Sequence, residues 1–323
     1  MDHKSIRQLI STYILLGIGS AALSADAPNI VRAQEWLGGN KQAQYEILSR
    51  PYNEIPTDII NEDDRRAYQI GEALFRSPTL LGGQAAKARI SCNSCHINGR
   101  GNSLFQFSGI SGQDGTADVS SSFFSSFRGN QKFDPVPIPD LAKINAVSHD
   151  PNGRALEIFI KGLIVEEFNG KKPPKAVIDA LAIYVRTIRR NGAQSANENQ
   201  NILTVHDPII MIDQIVDNLE RALFNDQEEL ANLLIDAGRH QLGLIYERYK
   251  HPRLKKIRLL IIQSSNRLAA MRNPIKSDKK MNRKTANEWK KSFKHLKANL
   301  IKQEEHSLYN QKRFQNALQL MKN

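Results

Sequence analysis

The chain has 323 residues, of which 40% are hydrophobic and 24% are charged, and this is enough for two domains with their own cores. Both cysteines belong to one short motif, which excludes a disulfide framework. The formal net charge is +12, and this basic balance favours acidic or anionic partners.

The N-terminus predicts a secretory signal over residues 1–25. Lys4 and Arg7 precede the mostly apolar run Leu9–Leu23, and small residues follow with candidate cleavage sites after Ala25 and after Ala27. This is the charged, apolar, small-residue order of an export signal. The apolar run is short for a membrane span. We predict an exported or periplasmic protein, and an uncleaved membrane anchor is the alternative.

Residues 26–64 form a mixed lead-in segment before the first clear helix. Asn61 is a predicted N-cap, since acidic residues follow it in the first turn, and the helix ends before Pro78. Gly71 lies in the middle of this helix, where glycine costs about 1 kcal/mol relative to alanine. It is interpreted either as a tolerated defect or as a notch that lets another helix cross closely.

The motif Cys92-Asn93-Ser94-Cys95-His96 is the attachment signature of a c-type haem. Each thiol can add to one haem vinyl group, and the short spacer places the His96 imidazole under the ring as an iron ligand. We therefore predict one covalently attached haem c per chain. The alternatives are a redox dithiol, for which the expected βαβ pattern is missing, and half of a zinc site, for which further cysteines are missing.

Aromatic residues and prolines follow the motif. Phe123 and Phe124 are candidate haem-pocket residues, although aromatic clusters are most often ordinary core. The two interpretations overlap, because the core of a small haem domain packs largely on the ring. Arg128 is a candidate partner of a haem propionate, with a surface role as the alternative. The prolines up to Pro139 stiffen a loop that we expect to close over one haem edge.

Two further helices complete the predicted haem domain over residues 65–190. One covers residues 154–163, and the other follows Pro173 and Pro174 and ends at Gly192. One helix before the haem motif and one near the end of the domain form the ground plan of a cytochrome c. The predicted fold class is therefore all-α.

The region also contains Leu74-Phe75, Pro78, Leu80-Leu81, Pro137-Ile138-Pro139-Asp140-Leu141 and His149-Asp150. Together with the haem motif, these segments resemble a haem domain of the bacterial di-haem cytochrome c peroxidases and the related methylamine-utilisation proteins. The peroxidases of that family have two haem motifs, and their electron-entry haem has a methionine as second axial ligand. This chain has one haem motif, and the methionine position falls near Leu163.

The second axial ligand decides between electron transfer and ligand or peroxide chemistry. His149 is the other histidine of the predicted haem domain and the candidate distal ligand, with a turn role as the alternative. An open or water-bound position is the third interpretation. The C-terminal half offers further candidates, which are Met211, His206, His240 and His251.

A polar linker is predicted over residues 191–205, followed by a basic all-helical domain over residues 206–323. Helices are expected after Asp207, after Pro252 and after Thr285, and Asp226 with Glu229 resembles a capping box for another. Residues 201–323 contain 23 lysine and arginine residues and 13 acidic residues, so they carry +10 of the chain's +12. Such a charge run is often only a solvated face.

The functional interpretations of this charge are docking to an acidic redox partner protein or to an anionic membrane surface. An exported protein rarely meets nucleic acid. The predicted function is electron transfer through one covalent haem. The alternative is a peroxidase-like enzyme or a ligand-binding haem sensor with an open sixth iron position.

Overall fold

The protein is built almost entirely of helices, which confirms the predicted all-α class. In the computed structural model, 62% of the residues are helical and 2% are in strands. The structure describes residues 30–57, 59, 61–143, 145–148, 150, 152–194, 202–272 and 279–320. The predicted signal over residues 1–25 and the candidate ligand His149 lie outside this part of the chain. The cytochrome c-like character of residues 65–190 stays a prediction.

The described residues contain twelve α-helices and one short antiparallel sheet. The helices are α1 (Lys41–Leu48), α2 (Glu62–Phe75), α3 (Pro78–Leu81), α4 (Gly83–Lys87), α5 (Cys92–Cys95), α6 (Ala155–Gly162), α7 (Lys175–Gln194), α8 (His206–Phe224), α9 (Glu228–Arg248), α10 (Lys255–Ala269), α11 (Lys279–Lys302) and α12 (Gln311–Gln319). The strands are β1 (Thr116–Ala117) and β2 (Val136–Pro137). A π-helical turn, Leu163–Glu167, continues α6.

Helices α2 and α7 form the central pair of the N-terminal half. The Asn61 side chain caps α2 by accepting a hydrogen bond from the Asp63 N–H at 2.8 Å, as predicted. The two helices cross closely at Gly71, where an added Cβ would lie 2.1 Å from the Ala180 carbonyl oxygen and 2.8 Å from the Tyr184 Cβ. The interpretation of Gly71 as a notch for a crossing helix is therefore confirmed.

Helices α8 to α11 form a four-helix bundle. Each packs on the next, and α11 packs back on α8, which closes the ring. The Tyr249 hydroxyl donates to the Leu300 carbonyl oxygen at 2.6 Å, and Trp289 Nε1 donates to the Ser264 carbonyl oxygen at 3.0 Å. Both of these buried donors are therefore satisfied by backbone acceptors within the bundle.

One hydrophobic core runs through both halves of the molecule. Helix α2 packs on α8 and α9 as well as on α7, and α1 packs against α12. The end of the predicted linker takes part in this packing. Leu203 and Val205 are buried, and the Leu203 N–H donates to the Ser49 carbonyl oxygen at 2.8 Å. The haem-motif half and the basic half are therefore in direct contact.

The predicted capping box at Asp226 is wrong, because α9 begins at Glu228 and its N-cap residue is Gln227, whose side chain makes no capping hydrogen bond. Asp226 has φ +58°, and the Gln227 N–H donates to the Ala222 carbonyl oxygen at 2.8 Å. A left-handed residue with this bond closes the C-terminus of α8, so Asp226 ends one helix instead of starting the next. Helix α7 also continues past Gly192 to Gln194.

Candidate functional site

The cysteine motif forms a single helical turn. The Ser91 N–H donates to Ser94 Oγ at 3.0 Å at the start of α5, and the His96 N–H donates to the Cys92 carbonyl oxygen at 2.8 Å at its end. Cys92 and Cys95 are three residues apart on this turn, which places them on one face. Both thiols are unpaired, half-buried and packed against the hydrophobic core.

The His96 ring is oriented by the backbone of the proline-rich loop. His96 Nδ1 lies 3.0 Å from the Pro139 carbonyl oxygen. Because a carbonyl oxygen only accepts, Nδ1 carries the proton and Nε2 has the free lone pair. Burial lowers the pKa of His96 to about 4, so the half-buried imidazole is neutral at pH 7. A neutral imidazole with one nitrogen fixed by a backbone acceptor is suited to bind a metal through the other.

The turn after His96 is held by buried polar contacts. Asn98 has φ +54°, a left-handed conformation that asparagine tolerates better than most residues. Its N–H donates to Asn93 Oδ1 at 2.9 Å, and its Nδ2 donates to the Pro51 carbonyl oxygen at 2.6 Å. Arg76 Nη2 donates to Asn98 Oδ1 at 2.6 Å. The exit of the motif is thus tied to the lead-in segment and to α2.

Arg76 belongs to a buried ion pair that sequence reasoning missed. Its side chain is 5% exposed and lies 3.2 Å from Glu72, which is 4% exposed. The guanidinium also lies 3.9 Å from the centre of the Tyr52 ring, and the Tyr52 hydroxyl donates to Gln241 Oε1 at 2.8 Å on α9. The sequence feature that could have indicated this pair is the i,i+4 spacing of Glu72 and Arg76 on the apolar face of an amphipathic helix.

The two candidate pocket phenylalanines differ in burial. Phe124 is buried, whereas Phe123 is 42% exposed. Their ring centres are 5.1 Å apart, and Phe107 lies 5.4 Å from Phe123 and 6.0 Å from Phe124. Phe168, at the end of the π-helical turn, lies 5.3 Å from Phe124. The structure therefore brings these residues into one aromatic cluster next to the π-helical turn.

Arg128 is engaged by two carboxylates. Its guanidinium lies 2.6 Å from Glu166 and 2.5 Å from Glu167, both on the π-helical turn. The hydrogen bond to Glu166 raises the pKa of Arg128. The Ser125 hydroxyl donates to the Glu166 carbonyl oxygen at 2.5 Å. Residues 125–128 are therefore held against the π-helical turn at both ends. The propionate role stays a prediction, and it would require the guanidinium to leave or share these partners.

The candidate methionine is placed within the core. Met211 lies on α8 and is 3% exposed, in the hydrophobic core that the two halves share. Leu163, near which the resemblance places the family's methionine, starts the π-helical turn. His240 on α9 is half-buried, and burial lowers its pKa to about 4.

The thiol environment bears on the alternative of a redox dithiol. Burial raises the pKa of Cys92 and Cys95 to about 12. Redox-active dithiols instead have a stabilised thiolate and a lowered pKa. Among the described residues, no group of three or more His, Cys, Asp or Glu side chains could hold a metal ion. Two thiols on an apolar surface and one oriented imidazole fit a tethered haem.

No protein-family model matches the chain, and no curated protein or solved structure is similar to it. The resemblance to the di-haem peroxidase family therefore rests on the sequence motifs alone. None of the described helices is both long enough and apolar enough to cross a membrane.

Proposed function

We propose that the protein is an exported electron carrier with one covalently attached haem c. Cys92 and Cys95 would tether the haem, and His96 Nε2 would bind the iron. The observation that supports this most is the hydrogen bond from His96 Nδ1 to the Pro139 carbonyl oxygen at 3.0 Å. A haem supplies reversible one-electron chemistry when bound, and the chain supplies the tethers, the axial imidazole and burial.

Two features of the chain serve this role. The backbone acceptor keeps the proton on His96 Nδ1, which fixes the ring and makes Nε2 a stronger donor. Asn98, bonded to Arg76 at 2.6 Å, fixes the turn that follows. An electron carrier benefits from such a rigid ligand, because little has to reorganise when the charge on the iron changes.

The second candidate is a ligand-binding or peroxide-reducing haem protein with an open sixth iron position. A specific observation favours it. The resemblance places the family's methionine position near Leu163, which begins a π-helical turn, and such turns are frequent at functional sites. A leucine side chain offers iron no donor atom.

Optical spectra of the purified, haem-loaded protein separate the two candidates. Reversible one-electron reduction without consumption of hydrogen peroxide supports the electron carrier. Fast carbon monoxide binding by the ferrous form, together with peroxide consumption, supports the second candidate. A protein that acquires no haem spectrum when produced with a c-type haem attachment system contradicts both.

We predict that methionine is not the sixth ligand. Met211 is buried in the core, where its expected role is to fill space. The ferric protein should therefore lack the sulfur-to-iron charge-transfer band, and Met211→Leu should leave the spectrum unchanged. A band that is present in the wild type and lost in Met211→Leu would show that this prediction is wrong.

A further inference from the structure

Helix α10 carries apolar residues on two opposite faces. Its inward row packs in the bundle and consists of the apolar residues Ile257, Ile261 and Leu268, together with Ser264. An α-helix has about 3.6 residues per turn, so Leu259 lies on the side opposite to this row. Leu259 is 51% exposed, and Ile262, three residues further on, is 41% exposed. The bundle therefore accounts for the inward face and leaves the outward apolar residues in contact with solvent.

Basic residues lie near both ends of α10, with Lys255 on the outward face and with Lys256 and Arg267 beside it. Lys255 and Lys256 are exposed in the first turn of α10, and Arg267 is exposed in its last turn. We call Lys255, Lys256, Leu259, Ile262 and Arg267 the α10 patch. It combines a central pair of apolar side chains with flanking cations whose long stems can extend away from an apolar surface.

We propose that the α10 patch binds the surface of an anionic lipid bilayer. Leu259 and Ile262 would enter the boundary between headgroups and acyl chains, and the flanking cations would contact anionic headgroups. The adjacent helix α11 adds exposed cations that strengthen the attraction at longer range, namely Lys284, Lys291, Lys294 and Lys302.

The arrangement favours a bilayer over an acidic protein. The apolar residues protrude from the middle of a single convex helix face, and a fluid lipid surface can close around such a shape. An acidic protein would satisfy the cations, but it would also need a groove complementary to Leu259 and Ile262. This proposal does not depend on whether the chain binds haem.

Vesicle sedimentation with the full chain tests the apolar contribution. Binding is measured with vesicles of phosphatidylcholine containing phosphatidylglycerol and with vesicles of phosphatidylcholine alone. The wild type should bind the anionic vesicles more tightly. The double substitution Leu259→Ser with Ile262→Ser should weaken this binding roughly tenfold, because apolar burial in the interface is lost. The matched control is Ile158→Ser with Phe159→Ser, two exposed apolar residues on α6, and it should bind like the wild type.

A second pair of variants tests the charges. Lys255→Ala with Lys256→Ala should weaken binding to anionic vesicles about 30-fold, since each lysine near the surface contributes about 1 kcal/mol. Lys171→Ala with Lys172→Ala removes the same charge from adjacent exposed lysines elsewhere and should have a much smaller effect. Circular dichroism confirms that each variant keeps its helical content.

Three results would overturn the proposal. One is equal binding of the wild type to anionic and neutral vesicles. Another is anionic binding that both α10 variants retain. The third is failure to bind vesicles while poly-glutamate is bound through the α10 patch, which would identify a surface for acidic proteins. Residues 1–25 are the same in every variant, whether cleaved or retained, so they cannot produce a difference between the variants.

Discussion

The side chains of Glu72 and Arg76 form an ion pair within the protein interior, beside the turn that follows His96. Burial raises the pKa of Glu72, while the charge of Arg76 favours its ionised form. An arginine side chain stays protonated in proteins, so the buried Arg76 needs a partner of opposite charge. Loss of that acceptor would leave an uncompensated cation in the core.

We predict that Glu72→Gln lowers the free energy of unfolding by about 3 kcal/mol, measured by urea denaturation. Glu62→Gln is the matched control, because Glu62 pairs with Arg66 at i,i+4 on the same helix but is 64% exposed. The control should change stability by about 1 kcal/mol or less. If both variants lose the same amount, then Glu72 does not neutralise Arg76 in the folded protein.

We expect His240 to lower the free energy of unfolding at mildly acidic pH. Burial lowers its pKa to about 4, from the usual value of 6.5. As the pH falls from 6.5 towards 4, the unfolded chain binds a proton at this residue while the folded protein does not, so the folded state loses stability in this window.

The melting temperature should accordingly fall less between pH 7 and pH 5 in His240→Gln than in the wild type. His206→Gln, at the exposed start of α8, is the control for the substitution itself. An identical fall in the wild type and His240→Gln would contradict the assignment of this pH dependence to His240.

At the level of the helices, the close crossing of α2 and α7 depends on the absence of a side chain at Gly71. A Cβ at Gly71 would lie 2.1 Å from the Ala180 carbonyl oxygen, which is backbone and cannot rotate away. We predict that Gly71→Ala lowers the free energy of unfolding by about 2 kcal/mol, although alanine is the better helix former.

Gly243 on α9 provides the opposite case, because a Cβ added there meets no atom within 4 Å. Gly243→Ala should therefore raise the free energy of unfolding by about 0.5–1 kcal/mol. Stabilisation by both substitutions would show that α2 and α7 do not cross at Gly71 as described.

Helices with a clear apolar period were predictable from the sequence. In α7, Val177, Leu181, Tyr184 and Ile188 recur at helical spacing, and all four are buried. The role of Asp226 was not predictable in this way, because the residue types of a capping box also suit the end of a preceding helix. The left-handed backbone at Asp226 decides between the two, and it depends on how α8 meets α9.

Some features of the candidate site follow from local sequence spacing, and others depend on contacts between residues that are distant in sequence. Local spacing was sufficient to predict that Cys92, Cys95 and His96 lie on one turn, and their role in haem attachment stays a prediction. The Pro139 carbonyl oxygen that orients His96 is 43 residues away and belongs to the backbone, so no side-chain pattern identifies it. The carboxylate partners of Arg128 are similarly distant in sequence, at Glu166 and Glu167.

In the whole molecule, the haem motif and the basic bundle are linked through packed side chains. The Tyr52 ring lies against Arg76, and its hydroxyl donates to Gln241 on α9. Asn218 on α8 donates to Gln69 on α2 at 3.1 Å. The bundle therefore forms part of the environment behind the motif, and it leaves Leu259 of the α10 patch on the side of α10 opposite its bundle-facing row.

The proposed function depends on a haem that is covalently attached at Cys92 and Cys95. The most direct test is the intact mass of the denatured protein after acid–acetone extraction, following production with a c-type haem attachment system. The wild type should keep its colour and have the mass of the polypeptide plus one haem, and Cys92→Ala with Cys95→Ala should have the mass of the polypeptide alone. A wild-type protein that releases all of its colour and has the bare polypeptide mass would contradict the account.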